Sequence, residues 1–421
     1  MTSSISILES LSAIITSIFL LVVISYYMLF FLKPKQGKIT RTFSSITIII
    51  PAHNEERYIK ECIKSVIEAD FNGKKQIIVV DDGSKDNTVS IASGFKQVKL
   101  IKTRHSGKAA SLNKALSLAK GQLVAIVDGD SIIGKNSLME SSKIVGRENT
   151  VAACCVVKVK NRKKFINMWA HIEQLYNSLI RLLFSRINAN ITTPGPLSVY
   201  RRKELVEVGG FSTEGFSEDQ DIAIRLFRKG YKIGFAEKAI AETNMPYDTK
   251  GFLRQRTRFA RGLLNILKRH FKFNKTIIDI YTLPIFLFTY IQAVIMGLFT
   301  LYQIASGYII YFFSKGILFN ISVLKFFFEW FSIVGFIKWA YSVLSGITPF
   351  NFIAAVGIIS TLLTYPIYFF TIFKFDKKFD LWHLIPVFFM FPFWLLIMLI
   401  YILSLPEMLR KKQYNIWKKN E

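Results

Sequence analysis

A chain of 421 residues that is 51% hydrophobic yet carries a net charge of +26, from 55 basic against 29 acidic side chains, is too apolar for a soluble nucleic-acid binder. The pairing points to a membrane protein with a charged cytosolic part. The cysteines, Cys62, Cys154 and Cys155, show neither metal-ligand spacing nor a disulfide framework, and read as core thiols in a reducing compartment.

The first element is the uncharged run "LSAIITSIFLLVVISYYMLFFL", residues 11–32, long enough for a spanning helix. Nothing basic precedes it, whereas Lys33, Lys35 and Lys38 follow, so it reads as an anchor and not a cleaved signal. Those lysines place the N-terminus outside and the following domain in the cytosol. Residues 1–42 are therefore expected to be a transmembrane anchor with a basic linker.

Residues 43–270 are expected to be globular. "SITIIIPA", "QIIVVDD" and "QLVAIVDGD" are short β-branched runs ending in acidic or turn residues, with helical "EERYIKECIKSVIEA" and "SGKAASLNKALSLAK" between them. Strands alternating with helices predict a parallel sheet whose ligands sit at the C-terminal strand edges. Asp81 and Asp82 fall at one such edge, Asp128 and Asp130 at another. Asp82 also suits a simple turn role. The Asp128-Gly129-Asp130 unit can offer oxygen ligands to a hard divalent cation while leaving room for a phosphate. Further on, Glu218, Asp219 and Asp221 open a helix in "FSEDQDIAIRLFRKG". They serve as capping charges, or crowding makes one of them basic enough to take a proton from a hydroxyl. "FINMWAHIEQLYNSLIRLLF" has helical spacing and reads as a core or interface helix. His171, His270 and His383 stand alone among apolar or basic neighbours and read as packing residues.

The arginine-rich "QRTRFARG", residues 255–262, either grips a phosphorylated ligand or anchors the chain to anionic lipid heads. Past it, "IDIYTLPIFLFTYIQAVIMGLFTLYQI", residues 350–373 and residues 381–403 are spans. Residues 317–346 carry Lys325, Glu329 and Lys338, and are either a further span or an interfacial helix. A cytosolic basic tail, 407–421, requires an even number of spans, so four are expected across 271–406. The tail's "NIWKK" suits an interfacial tryptophan anchor. Gln292, Gln303 and Asn320 either line a channel or hold helices together. No basic-aromatic recognition module is present, so nucleic acid is not an expected partner, and no protein partner is legible.

Taken together, these motifs resemble the family 2 glycosyltransferases of the inverting GT-A type, above all the processive membrane branch of cellulose, chitin, hyaluronan and poly-N-acetylglucosamine synthases. The resemblance runs over about residues 45–265, through "IIIPAHNEERYIKECIKSV", "VVDDGSKDNT", "GKAASLNKAL", "VDGDS", "TPGPLSVYRRKELVEVGGF", "SEDQD" and "QRTRFARG" in order. It implies an α/β GT-A, Rossmann-like nucleotide-sugar-binding domain combined with α-helical transmembrane segments. It implies a nucleotide site of Pro51, Ala52, His53, Glu55, Asp81, Asp82, Lys108 and Asp128, with Asp82 reading the base. Asp130, helped by Asp128, would hold Mn²⁺ or Mg²⁺ on the diphosphate. Asp219 would be the general base, with Glu218 beside it. Gln255, Arg256, Arg258, Phe259, Gly195 and Pro196 would face the diphosphate and acceptor, leaving Arg261 and Lys268 for lipid. The donor implied is a nucleotide-diphosphate sugar, UDP-linked in the family's commonest usage. The acceptor is a growing polysaccharide at the plasma membrane or, alternatively, a lipid or polyprenyl phosphate receiving one sugar. Phe259 stands where the family has tryptophan, and it lacks the indole N–H.

Overall fold

The computed structural model describes residues 2–33, 37–246, 248–272, 274–315 and 321–406. Lys35, Asn320 and the whole 407–421 tail lie outside the described residues. In chain order the elements begin with α1 (Thr2–Phe31), β1 (Ser45–Ala52), α2 (Ile59–Glu68), β2 (Lys74–Asp81), α3 (Thr88–Ser93), β3 (Val98–Lys102), α4 (Lys108–Leu116) and β4 (Leu123–Ile126). There follow β5 (Ser131–Ile133), α5 (Ser137–Val145), β6 (Thr150–Val159), α6 (Phe165–Arg186), β7 (Ser198–Arg201), α7 (Arg202–Glu207), α8 (Glu218–Arg228), β8 (Lys232–Thr243) and α9 (Thr249–His270). A π-helical turn (Ile278–Thr282) leads into α10 (Leu283–Lys315), α11 (Ile321–Phe331), α12 (Ile333–Leu344), α13 (Phe352–Phe375), α14 (Leu381–Phe388) and α15 (Met390–Ser404). They divide into two compact units.

The unit of residues 32–162 and 177–283 is built on one eight-stranded sheet, ordered β3-β2-β1-β4-β7-β6-β8-β5. β1 lies between β2 and β4, parallel to both, and β3 extends the parallel half beyond β2. The continuous isoleucine run of β1 follows from that position, since a parallel strand is covered on both faces. Ile46, Ile48 and Ile50 pack with Ile59, Cys62, Ile63 and Val66 of α2. Ile49 faces the other way, into a cluster with Ile78, Val80, Leu112, Ala115, Ile222 and Leu226. β7 then runs antiparallel to β4, and β6 antiparallel to β7. β8 pairs parallel with β6 and carries β5 on its far side. The register pairs Ala52 with Asp81, so β1 and β2 end together, and Val127 continues β4 by donating to the Ile49 carbonyl at 3.0 Å. The acidic ends of β2 and β4 therefore open on the same edge as the end of β1. Where hydropathy puts the domain edge at 270, the compact unit runs on to Leu283, and Ile278 and Leu283 are both fully buried.

The second unit gathers α1, residues 163–176 with the first part of α6, and the chain from Pro284 to Pro406. Among the described residues, three helices are long and apolar enough to cross a membrane: Ser10–Phe31, Ile278–Ile310 and Phe352–Phe375. Leu381–Phe388 and Met390–Ser404 pass the same test only as a pair bent by 60°. α11 and α12 have 11 and 12 residues. At 1.5 Å per residue neither alone covers the ~30 Å of a bilayer core. Lys338 and Glu329 pair with each other there, which lowers the cost of apolar surroundings. α1 packs on α13, where Tyr27 Oη donates to the Leu363 carbonyl at 2.7 Å and Phe30 meets Phe370 edge-on. Leu21, Met28, Tyr302, Ile310 and Leu362 stay exposed, as lipid-facing side chains would.

Candidate active site

The edge begins with a rigid loop system. His53, just past β1, donates Nδ1–H to the Asp82 carbonyl at 2.8 Å, and His105 does the same at 3.1 Å. Their rings lie 4.3 Å apart. The Asp82 carboxylate is fully buried and accepts from Ser106 N at 3.0 Å, Gly107 N at 2.8 Å and Thr103 Oγ1 at 2.9 Å. Burial pushes its carboxyl up, but those backbone and hydroxyl donors outweigh it and hold the group below the ordinary carboxylate range. Asp82 thus organises the turn that starts α4, where Gly107 sits at φ +95°, a conformation open to glycine. Asp81 accepts from Ser84 N at 3.2 Å. Glu55 is buried and its backbone N–H donates to Thr88 Oγ1 at 2.7 Å. Pro51 and Ala52 end β1 against Gly129: a Cβ on that glycine would stand 3.2 Å from both the Pro51 carbonyl and Glu55 Cγ.

At the centre stands Lys108, the first residue of α4. Its Nζ reaches Asp128 Oδ1 at 2.7 Å and Glu218 Oε1 at 3.3 Å. Burial alone would push the ammonium down, but the two carboxylates outweigh it and keep the group charged well past neutrality. Gly195 makes this possible, because a Cβ there would lie 2.2 Å from Asp128 Oδ2. The same turn accepts the Asp128 backbone N–H at 3.0 Å and carries Pro196 next to it. Asp130 is half-buried, and its Oδ1 accepts long bonds, 3.2 Å from Ser131 Oγ and 3.3 Å from Thr243 Oγ1. Beneath it, burial and the charges of Asp130, Glu55 and Asp128 drive the Cys62 thiol well up, a sign that these carboxylates converge. An oxygen-only set with side-chain-free glycines at 129 and 195 fits a hard divalent cation.

Across from Lys108, α8 presents its first turn. The Asp219 carboxyl is raised to about 6, first by burial and next by the Glu218 charge, with Lys108 pulling the other way. Thr193 Oγ1 donates to the Asp219 carbonyl at 2.7 Å and pins that turn. Asp221 serves differently, holding Arg225 at 2.7 Å, His270 at 2.9 Å and Arg269 at 3.3 Å. His270 is therefore not the isolated packing residue that its sequence neighbours suggest. On α9, Arg256 is buried, with its guanidinium 4.8 Å from the Phe252 ring and 5.8 Å from the Phe259 ring. Arg258 lies 5.6 Å from the Phe259 ring and opposes the charge on Lys108. Phe259 itself is 42% exposed. Gln255 buries its Oε1 without a hydrogen-bond partner among the described residues. Gly262 lets α9 touch α8, since a Cβ there would stand 2.0 Å from Ser217 Oγ.

The structure thus gathers Lys108, Asp128, Glu218 and Asp219 into one charged group, with Asp130 on the same loop and Arg258 near enough to act on Lys108. It also adds residues that motif reading passed over. His105 lies against His53 with the rings tilted by 31°. Arg181, buried on α6, feels the Asp219 charge while burial lowers its own basicity. The other two supposedly solitary histidines, His171 and His383, meet at Asp376.

A mixed sheet with its acids on the parallel edge is the GT-A architecture of nucleotide-sugar transferases. One solved likeness is a mannosyltransferase, PcManGT of Pyrobaculum calidifontis, in complex with GDP-Man and Mn²⁺: TM-score 0.58 at 21% identity, covering 89% of this chain and 99% of that one. Residues 47–209 match the description "Glycosyl transferase family 2", and the chain carries a domain of that family. Among relatives, the chain is 28% identical over 280 residues to a probable glycosyltransferase, YdaM, of Bacillus subtilis (strain 168), covering 61% of this chain and 65% of that protein. It is 27% identical over 241 residues to the poly-beta-1,6-N-acetyl-D-glucosamine synthase of Staphylococcus aureus (strain COL), covering 54% of this chain and 56% of that protein. The matched stretches thus span less than two thirds of either relative's length.

Proposed function

We propose that this protein is a membrane-bound, inverting glycosyltransferase that extends a polysaccharide from a nucleotide-diphosphate sugar, with its catalytic domain on the cytosolic side of the plasma membrane. The observation that carries the reading is the Asp219 carboxyl held at about 6 beside the Lys108–Asp128–Glu218 group. A carboxylate of that basicity is ionised at neutral pH and still takes a proton better than an ordinary one. Asp219 accepts the proton of the acceptor hydroxyl as its oxygen bonds to the anomeric carbon. The bond to the diphosphate breaks on the opposite face, and the electron pair leaves with the diphosphate. One displacement inverts the centre. Lys108, Arg256 and Arg258 face the charge that develops on the leaving group. A divalent cation, Mn²⁺ or Mg²⁺, supplies further charge there when bound, and Asp130 with Asp128 would hold it. Pro51 to His53, Glu55, Asp81 and the turn shaped by Asp82 make the nucleotide side, for which a UDP-linked sugar is proposed. Gln255, Phe259, Gly195 and Pro196 face the acceptor.

The test is the size distribution of labelled product. Detergent-solubilised protein is given a panel of labelled nucleotide sugars with Mn²⁺ or Mg²⁺, beside an Asp219→Asn control. Polymer from one donor supports the proposal; no transfer from any donor overturns it. A second reading, one sugar added to a lipid or polyprenyl phosphate, is favoured by one observation: the aromatic beside Arg256 and Arg258 is Phe259, which has no indole N–H to fix a chain end. Under the polymer reading, Phe259→Trp lengthens the products; unchanged length removes Phe259 as the limit on chain growth.

A further inference from the structure

We propose that His171, Asp376 and His383 form a site for a zinc-type divalent cation, separate from the Asp128–Asp130 edge. The three come from distant points of the chain: His171 from α6, Asp376 from the C-cap of α13 and His383 from the first turn of α14. All belong to the unit of apolar helices. Their side chains are nearly sealed, with 3%, 7% and 1% exposed. His171 Nε2 stands 2.7 Å and His383 Nε2 2.8 Å from the same oxygen, Asp376 Oδ2, and all three ligand atoms lie within 4.8 Å of one another. Among the described residues no other group of histidines, cysteines and carboxylates meets that condition.

Two imidazoles and a carboxylate are a borderline-soft donor set that suits zinc, cobalt or nickel better than magnesium or manganese. With metal–ligand bonds of about 2.0–2.2 Å, a tetrahedral site needs ligand atoms about 3.3 Å apart. The atoms that now touch Asp376 need to separate by only about half an ångström. His383 has the support that metal-bound histidines usually have: its Nδ1 lies 2.8 Å from Asp380 Oδ1. At present Nδ1 also faces the Asp380 backbone N–H at 3.2 Å, a bond it can only accept. Binding metal through Nε2 moves the ring proton to Nδ1, which then donates to the Asp380 carboxylate. Asp376 and Asp380 together balance a charge of +2. Asp380, 37% exposed, marks the side from which an ion enters. The helices are already placed to be joined, since Trp169, two residues from His171, donates its indole N–H to the Pro386 carbonyl at 3.1 Å.

The test uses tag-free, full-length protein in detergent, supplied with Zn²⁺ and then dialysed against excess Mg²⁺. Metal per chain is measured by mass spectrometry. About one equivalent of zinc is expected in the wild type and in Asp130→Asn, and at least a tenfold loss in His171→Gln and His383→Asn. A wild type that retains no zinc, or histidine variants that retain it fully, overturns the site. Co²⁺ gives a readout on the unaltered protein: visible ligand-field bands of a four-coordinate nitrogen–oxygen site, erased by Zn²⁺. A purely octahedral Co²⁺ spectrum overturns the proposal whether or not the variants fold.

Discussion

Replacing Glu218 by glutamine should move the acid limb of the pH–rate profile toward lower pH. The wild-type Asp219 carboxyl stands at about 6, pushed up by burial and then by Glu218. Only the ionised form accepts a proton, so kcat/KM should fall roughly tenfold per pH unit below about 6 and be level above it. A neighbouring like charge in a partly closed site is worth roughly one pH unit. Removing it would bring the limb to about pH 5. At pH 5 the wild type is then about one-tenth ionised and the variant about half, so relative to its own plateau the variant should be about fivefold faster, or about 1 kcal/mol. Lys108→Met should act in the opposite direction, because Lys108 pulls the Asp219 carboxyl down. Its plateau will also drop, but the limb is read as a position on the pH axis. The assay is initial-rate transfer from labelled donor at low concentration and saturating Mn²⁺, between about pH 4.5 and 8. A Glu218→Gln limb that stays put or moves up would refute the assignment of Asp219 as the base.

Asp219→Asn should reduce transfer by roughly 10²–10⁴, the usual worth of a general base, while calorimetry finds donor affinity within about threefold of wild type. Comparable losses in binding and rate would place Asp219 in the donor site instead. Gly195→Ala puts a methyl 2.2 Å from Asp128 Oδ2 and must displace that carboxylate. Mn²⁺ titration of donor binding should then show at least a tenfold weaker metal response, and an unchanged response would separate Asp128 from the cation.

Legibility in the sequence followed how local each signal is. β1, β2 and β4 could be read because each is a β-branched run closed by an acid or turn. β6 has Thr150, Val151, Val156, Val157 and Val159 to favour a strand but no acidic end to mark it, and its place comes from pairing with β7 and β8 on either side. The roles of crowded carboxylates were also undetermined. Asp219 and Asp221 share one helical turn, yet Asp219 is raised and Asp221 lowered, because Asp221 finds Arg225, Arg269 and His270, two of them more than forty residues away. His171 and His383 looked solitary for the same reason, since 205 positions separate His171 from Asp376.

Arg228 ends the helix that carries Asp219, and both of its terminal nitrogens hold the fully buried Asp279 carboxylate at 2.6 Å. Thr276 Oγ1 donates to the same carboxylate, and Thr282 Oγ1 reaches the Ala189 carbonyl at 2.9 Å. Anyone cutting this chain to obtain a water-soluble catalytic fragment would stop where the hydropathy turns, at about His270. That cut removes the buried carboxylate that both Arg228 nitrogens hold, together with the Thr282 anchor on Ala189. The stretch just before the apolar helix is thus the last piece of the catalytic body, and a fragment retaining it through Leu283 should keep its base helix in place.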